Sequence, residues 1–353
     1  MEKFSVKAFG TESPTASLKQ MQIDRREATE KDVEIEILYC GVCHSDLHSA
    51  RNDWGGSQYP VVPGHEIVGR VTKVGSAVKK FKVGDYAAVG CLVDSCRTCS
   101  NCKQDLEQYC IPGFTLTYNS PDKHLKGQMT YGGYSEKVVV DEHFVLKVPE
   151  GIDLAAAAPL LCAGITTWSP LKHWKVGPES KVAVIGLGGL GHMAIKLAKG
   201  LGAHVSLFSR SKSKEQDAYK LGVDDFIISE DQKHMEESAG KFDLIIDTVP
   251  YAHDLNPYVA TLATNGTLVL VGYLGPLEPV VHSVPMIMGR KAVAGSVIGG
   301  IAETQEMLDF CGKHNIVSDI ELIKIQDINE AYERMLKSDV RYRFVIDMAS
   351  LKN

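Results

Sequence analysis

The chain predicts an α/β protein in which a β-rich domain is interrupted by a doubly wound parallel sheet. Three observations predict it. Residues 1–157 carry short valine-rich runs between glycines, and from Lys181 strands alternate with helix-length segments. Between one such strand and an amphipathic helix stands Gly186-Leu187-Gly188-Gly189-Leu190-Gly191.

In the first part, Val33–Leu38, Ile67–Val74 and Tyr86–Val89 read as strands, with Gly75 and Gly84 as punctuation. The uncharged run Leu154–Leu171 is long enough to test as a membrane span. Pro159, Gly164, Thr166, Thr167, Ser169 and Pro170 weaken both its hydrophobicity and its helix, so a buried segment is expected. Lys181–Ile185 is a short apolar strand, after which Leu190, Met193, Ala194, Leu197, Ala198 and Leu201 follow helical spacing up to Gly202. His204–Phe208, Phe226–Ile228, Leu244–Asp247 and Thr267–Val271 read as further strands of a parallel sheet. Past Gly295 the rhythm changes. A helix over Glu303–Lys313, a polar loop and a helix with Ile328, Tyr332 and Leu336 on one face precede the strand Tyr342–Ile346. That last strand is too short to stand alone and must join a sheet elsewhere. The expected domains are residues 1–157 with 295–353, and residues 158–294 inserted between them.

At 353 residues the chain can bury two cores. A formal net charge of −6 and the lack of any basic block exclude a nucleic-acid surface. The charged start, Met1 to Lys7, lacks the apolar core of a signal peptide. Nine cysteines in such a chain point to reduced thiols, metal chemistry and a cytoplasmic location, with no membrane partner.

Cys96, Cys99, Cys102 and Cys110 supply four thiolates in one short lobe, suited to a closed tetrahedral zinc or to an iron–sulfur centre. Zinc is preferred because no proline-terminated ferredoxin run is present. Four ligands fill the sphere, so this ion shapes a loop. Cys43, His65 and Cys162 remain as scattered soft donors, and three protein ligands leave a zinc one open position. Cys40, Cys91 and Cys311 read as small buried hydrophobes.

The glycine run, following a strand and opening a helix, reads as a dinucleotide-binding turn with the pyrophosphate on the helix N-terminus. An NAD site usually carries an acidic residue at the end of the next strand. Here Ser209-Arg210-Ser211-Lys212-Ser213-Lys214 stands instead, and hydroxyls and cations suit a 2′-phosphate. NADP(H) is the expected cofactor, bound through Gly186 to Gly191, Ser209, Arg210, Ser211 and Lys214.

The segments Cys40–His48, Pro63–Gly69, Gly84–Cys110, Ala158–Thr166 and Gly186–His192 together resemble the zinc-dependent medium-chain dehydrogenase/reductase superfamily. Leu160–Gly164, Asp105–Cys110, Ile246–Pro250 and Asp339–Phe344 are similar to its cinnamyl alcohol dehydrogenase branch. The resemblance covers essentially the whole chain and implies a GroES-like catalytic domain beside a Rossmann domain. It implies two zinc ions per chain, the catalytic one on Cys43, His65 and Cys162. Glu66 is then a nearby or alternate ligand, and Asp46 the partner that orients the zinc-bound imidazole. Ser45 matches the hydroxyl that touches the substrate oxygen, and His48 the end of a proton relay through the nicotinamide ribose.

The same resemblance places His44, Thr166, Thr248, Val271, Ser296 and Ile298 near the cofactor. Trp54, Leu92, Leu116, Met286, Met288 and Ile298 would line the substrate channel. It also implies a homodimer pairing Lys291–Ser296 of two nucleotide domains. The expected reaction is reversible hydride transfer between NADPH and aromatic or medium-chain aldehydes. A relative's aromatic-wall tryptophan has no counterpart near Leu116, which separates this chain from strict cinnamaldehyde use. The alternatives are a polyol or secondary-alcohol dehydrogenase of the same superfamily, and a non-enzymatic NADPH-binding protein.

Overall fold

The computed structural model describes residues 2–272 and 275–352. The chain forms two compact units, Met1–Cys162 with Gly299–Asn353, and Ala163–Ile298. Cys162 therefore falls with Cys43 and His65, one helical turn past the boundary expected at residue 157.

The first unit is built on a seven-stranded sheet centred on Asp32–Gly41. That strand pairs antiparallel with Ile67–Val74, with Lys137–Asp141 and with Arg343–Asp347. Its core side chains Val33, Ile35 and Ile37 are buried, which ties register to burial. The C-terminal strand thus finds its sheet about 300 residues upstream in the register Ile346↔Cys40. Two expectations are corrected. The segment read as a polar loop contains the strand Ile320–Lys324, parallel to Arg343–Asp347. The helix Ile328–Leu336 buries Ile328, Ala331, Tyr332 and Met335, while Leu336 is exposed. A hairpin, Lys3–Gly10 with Lys19–Arg26, adds a second small sheet.

The second unit carries a six-stranded sheet, parallel throughout. Its spatial order is Asp225–Ile228, His204–Ser209, Lys181–Ile185, Phe242–Asp247, Leu262–Leu270 and Ala292–Gly295. In chain order that is 3-2-1-4-5-6, the doubly wound arrangement. The direction of winding reverses between Lys181–Ile185 and Phe242–Asp247, and a crevice opens at the carboxyl ends of those two strands. The helix Gly189–Gly200 starts there and buries Met193, Ala194, Leu197 and Ala198.

Residues 155–171 are buried, as expected for the uncharged run. Among the described residues no single helix is long and apolar enough to cross a membrane.

Candidate functional site

Cys43 precedes the short helix His44–Arg51, His65 precedes the strand Ile67–Val74, and Cys162 follows the 3-10 turn Ala158–Leu161. The fold brings the three together with Glu66, their donor atoms all within 4.8 Å of one another. The Cys43 and Cys162 sulfurs stand 3.9 Å apart. Two thiolates on one tetrahedral zinc, with bonds of about 2.3 Å, would stand roughly 3.8 Å apart. The donor set therefore fits zinc without rearrangement. The Cys162 thiol, followed by the His65 ring, holds the Cys43 pKa well below its ordinary value, and a thiolate is the form that binds metal.

Asp46 fixes this geometry. Fully buried, it accepts from the Cys43 N–H at 2.8 Å and the Gly64 N–H at 2.9 Å. Its Oδ1 lies 3.2 Å from His65 Nδ1, which leaves Nε2 as the donor facing the cluster. The hydroxyl of the buried Tyr134 donates to Asp46 Oδ2 at 3.4 Å.

Glu66 is completely buried, and its Oε1 accepts a hydrogen bond from Arg343 Nη2. Its Oε2 has no hydrogen-bond partner. Burial pushes the Glu66 carboxyl up to about 7, although the Arg343 guanidinium opposes this. An orphaned buried oxygen beside two sulfurs and an imidazole is a natural further donor to a cation. Sequence reasoning quoted the segment holding Arg343 but gave that residue no role. Its guanidinium also reaches the Val42 carbonyl at 2.8 Å, tying the last strand to the loop before Cys43.

Ser45 Oγ lies 3.6 Å from the Cys43 sulfur. His48, on the same helix, meets Asp53 Oδ2 through Nδ1 at 2.8 Å, and the Trp54 ring packs against it at 5.0 Å. Asp53 was not singled out from sequence. The Cys91 thiol, read as a plain buried hydrophobe, is only half-buried. A hydrogen bond to Cys162 lowers its pKa.

The second cluster gathers Cys96, Cys99, Cys102 and Cys110, again within 4.8 Å. Backbone N–H groups of Cys99 and Thr98 point at Cys96 Sγ at 3.3 and 3.5 Å, and they bring its pKa down to about 6. Four sulfurs, with no fifth donor among the described residues, suit a closed zinc site. Glu107, buried within the lobe, accepts from the Ile301 N–H at 3.1 Å and meets His143 Nε2 at 3.0 Å. The lobe is thereby latched to the rest of its unit.

In the nucleotide unit, Gly186 has φ +89°, and a side chain on Gly191 would meet the Gly186 carbonyl at 2.1 Å. The turn therefore demands glycine at both positions. Around Gly188 nothing lies within 4 Å of where a side chain would begin, which leaves room for a phosphate beside the Gly189–Gly200 helix N-terminus. Thr248 donates to the Ile185 carbonyl at 2.7 Å, and Lys214 reaches across to the Leu187 carbonyl at 2.9 Å. Ser209 and Ser211 form an exposed turn with Arg210, and no carboxylate ends the strand His204–Ser209. The cradle fits a dinucleotide bearing a 2′-phosphate.

Val271 donates its N–H to the Asp247 carbonyl, and Ser296 donates its own to Leu270, which places both at strand ends. Ile298 holds a positive φ of 35°, and Thr166 is buried in the helix Ala163–His173. His44 is exposed in the first unit.

The side chains expected to line the substrate channel differ in exposure. Leu92 pairs with Leu116 in a two-stranded antiparallel ladder that brackets the four-cysteine lobe, but Leu92 is enclosed and Leu116 exposed. Trp54 and Met288 present apolar surface. Met286 packs against the core of its own unit.

Residues 29–150 match the alcohol dehydrogenase GroES-like domain, and residues 189–313 match the zinc-binding dehydrogenase domain. A probable mannitol dehydrogenase of Medicago sativa is 55% identical over 350 residues, covering 98% of this chain and 96% of the relative. A cinnamyl alcohol dehydrogenase of Sorghum bicolor superposes with a TM-score of 0.94 at 45% identity, covering 98% of both chains. The CAD of Helicobacter pylori complexed with NADP(H) gives a TM-score of 0.91 at 44% identity, over 99% of both.

Proposed function

This chain belongs to the zinc-binding alcohol dehydrogenase family, and we propose that it interconverts aldehydes and primary alcohols with NADP(H). The reaction is R-CHO + NADPH + H⁺ ⇌ R-CH₂OH + NADP⁺. The observation that carries this reading is the Cys43, His65 and Cys162 cluster, three soft donors of one fold unit with the unpartnered Glu66 oxygen beside them. A zinc held there supplies a Lewis acid for the carbonyl oxygen, and bound NADPH supplies the hydride.

The chain's own groups do the rest. Two thiolates and one neutral imidazole offset the ion's formal charge, and Asp46 keeps the His65 tautomer fixed. Ser45 offers a hydroxyl proton at the substrate oxygen. His48, oriented by Asp53, passes protons to and from water. The four-cysteine lobe holds a second zinc, giving two per chain. A crystallin-like or otherwise inactive protein has no use for the open cluster. A spectrophotometric assay of NADPH oxidation with benzaldehyde is expected to show turnover, and its absence with all aldehydes tested would refute the reading.

Aromatic and medium-chain aldehydes suit the exposed apolar side chains of Trp54 and Leu116. The similarity to a probable mannitol dehydrogenase favours a polyol as the second reading. Relative rates on benzyl alcohol and mannitol separate the two. The turn Ser209 to Lys214 supports NADP(H) over NAD(H). Ser209→Asp is expected to weaken NADPH binding at least tenfold, because a carboxylate repels the 2′-phosphate, and to improve NADH binding. Unchanged preference in fluorescence titrations would contradict the assignment.

We place the enzyme in the cytoplasm, where nine unpaired thiols stay reduced. It acts as a homodimer. The edge strand Ala292–Gly295 is open on one side, and Val284, Ile287 and Met288 expose apolar surface on the helix before it.

A further inference from the structure

The nucleotide unit holds a group of side chains that the phosphate-binding turn does not use. Strand Phe242–Asp247 lies in parallel register with Lys181–Ile185, and Asp247 is the partner of Ile185, directly before the glycine turn. On the other side, Ile185 is the partner of Phe208, two residues before Arg210. The segment after Asp247 and the segment after Ser209 therefore flank one crevice, at the point where the sheet winding reverses.

Asp247 is fully buried and organises the segment that follows it. Its Oδ1 accepts from the Val249 N–H at 3.1 Å, and its Oδ2 lies 3.2 Å from His253 Nε2. The other ring nitrogen of His253 lies 2.9 Å from the Tyr251 carbonyl. Nδ1 is hydrogen-bonded to that carbonyl, while Nε2 and Asp247 Oδ2 meet as an ion pair and not as an aligned hydrogen bond. Accordingly Asp247 raises the His253 pKa above its ordinary value. The Tyr258 ring meets the His253 ring edge-on at 5.9 Å and braces it from the core side. Tyr251 is held by this loop at the crevice mouth, half exposed, and the Arg210 guanidinium lies over its ring at 5.9 Å from the centroid.

We propose that Tyr251 is a specificity-determining residue: its ring face holds Arg210 in position to receive the 2′-phosphate, with the Asp247–His253 pair positioning Tyr251. An exposed arginine on a flexible stem otherwise loses rotamer freedom when it binds an anion. A guanidinium held over a ring face has lost part of it already and keeps donors free for an anion. Tyr251 thus raises affinity for the phosphorylated cofactor selectively, because the ring acts through Arg210 alone.

This inference rests on the NADP(H) reading of Arg210, and the test separates the two. The probes are 2′,5′-ADP and ADP, titrated calorimetrically into the zinc-loaded full chain, with thermal unfolding as a check on folding. Arg210→Ala is expected to weaken 2′,5′-ADP at least tenfold and leave ADP unchanged. Tyr251→Ala is expected to weaken 2′,5′-ADP about three- to fivefold, the scale of an exposed cation–π contact, and leave ADP within twofold. Tyr251→Phe keeps the ring face and is expected to bind both as the parent does. If Arg210→Ala has no selective effect, the assignment of the phosphate to Arg210 fails. If Arg210→Ala behaves as expected while Tyr251→Ala changes neither ligand, or both equally, the Tyr251 proposal alone is overturned.

Discussion

Replacing Cys43 with alanine is expected to abolish NADPH-dependent aldehyde reduction while leaving NADPH binding within about twofold of the parent. Loss of a residue that merely orients a metal ligand costs about 10–100-fold. Loss of a ligand itself removes one of three donors and disturbs the sulfur pair 3.9 Å apart, so a deficit beyond about 10³-fold is expected. The nucleotide cradle belongs to residues 163–298, a separate compact unit, which is why cofactor affinity should survive. Steady-state rates and fluorescence titration on the same preparation check both halves. Retained turnover would remove the cluster from the chemistry, and joint loss of turnover and binding would show a folding defect instead.

Replacing Cys99 with serine is expected to strike stability. A structural zinc contributes about 10 kcal/mol or more of apparent binding free energy, comparable with the whole stability of a domain. The lobe carries Glu107, which anchors the start of the helix Ile301–His314 and the His143 ring. Losing the ion frees that latch and leaves Glu107 as a buried carboxylate with its partners displaced. A lowered unfolding temperature, early proteolysis within residues 96–110 and zinc loss are expected together. An unchanged melting curve would mean that the lobe is held by packing alone.

Much of this site was legible in the sequence, for reasons of locality. Four cysteines within one short segment and a glycine turn between strand and helix declare their chemistry without any tertiary information. Cys43, His65 and Cys162 are far apart, yet few roles other than metal binding gather such donors. Arg343 was not legible. Its partner Glu66 lies 277 residues away, and an arginine near the C-terminus carries no local signal of that contact. The same holds for Tyr134 on Asp46 and for Tyr251 beneath Arg210, contacts made only by the fold.

The strand Ile320–Lys324 was missed because it is short and only half-buried, stabilised by its neighbour Arg343–Asp347 and not by a clear alternating pattern of its own. Leu336 satisfied helical spacing, but it is Met335 that turns inward at the last turn. Cys91 was read from residue type alone, which cannot distinguish a packed thiol from one beside Cys162.

The proposed chemistry requires a metal at Cys43, His65 and Cys162, and zinc quantification alongside activity tests this most directly. Purified protein is expected to carry two zinc ions per chain, Cys43→Ala one, and activity should follow the ion that the substitution removes. Undiminished aldehyde reduction by a preparation whose only zinc sits in the four-cysteine lobe would contradict a catalytic metal at Cys43, His65 and Cys162.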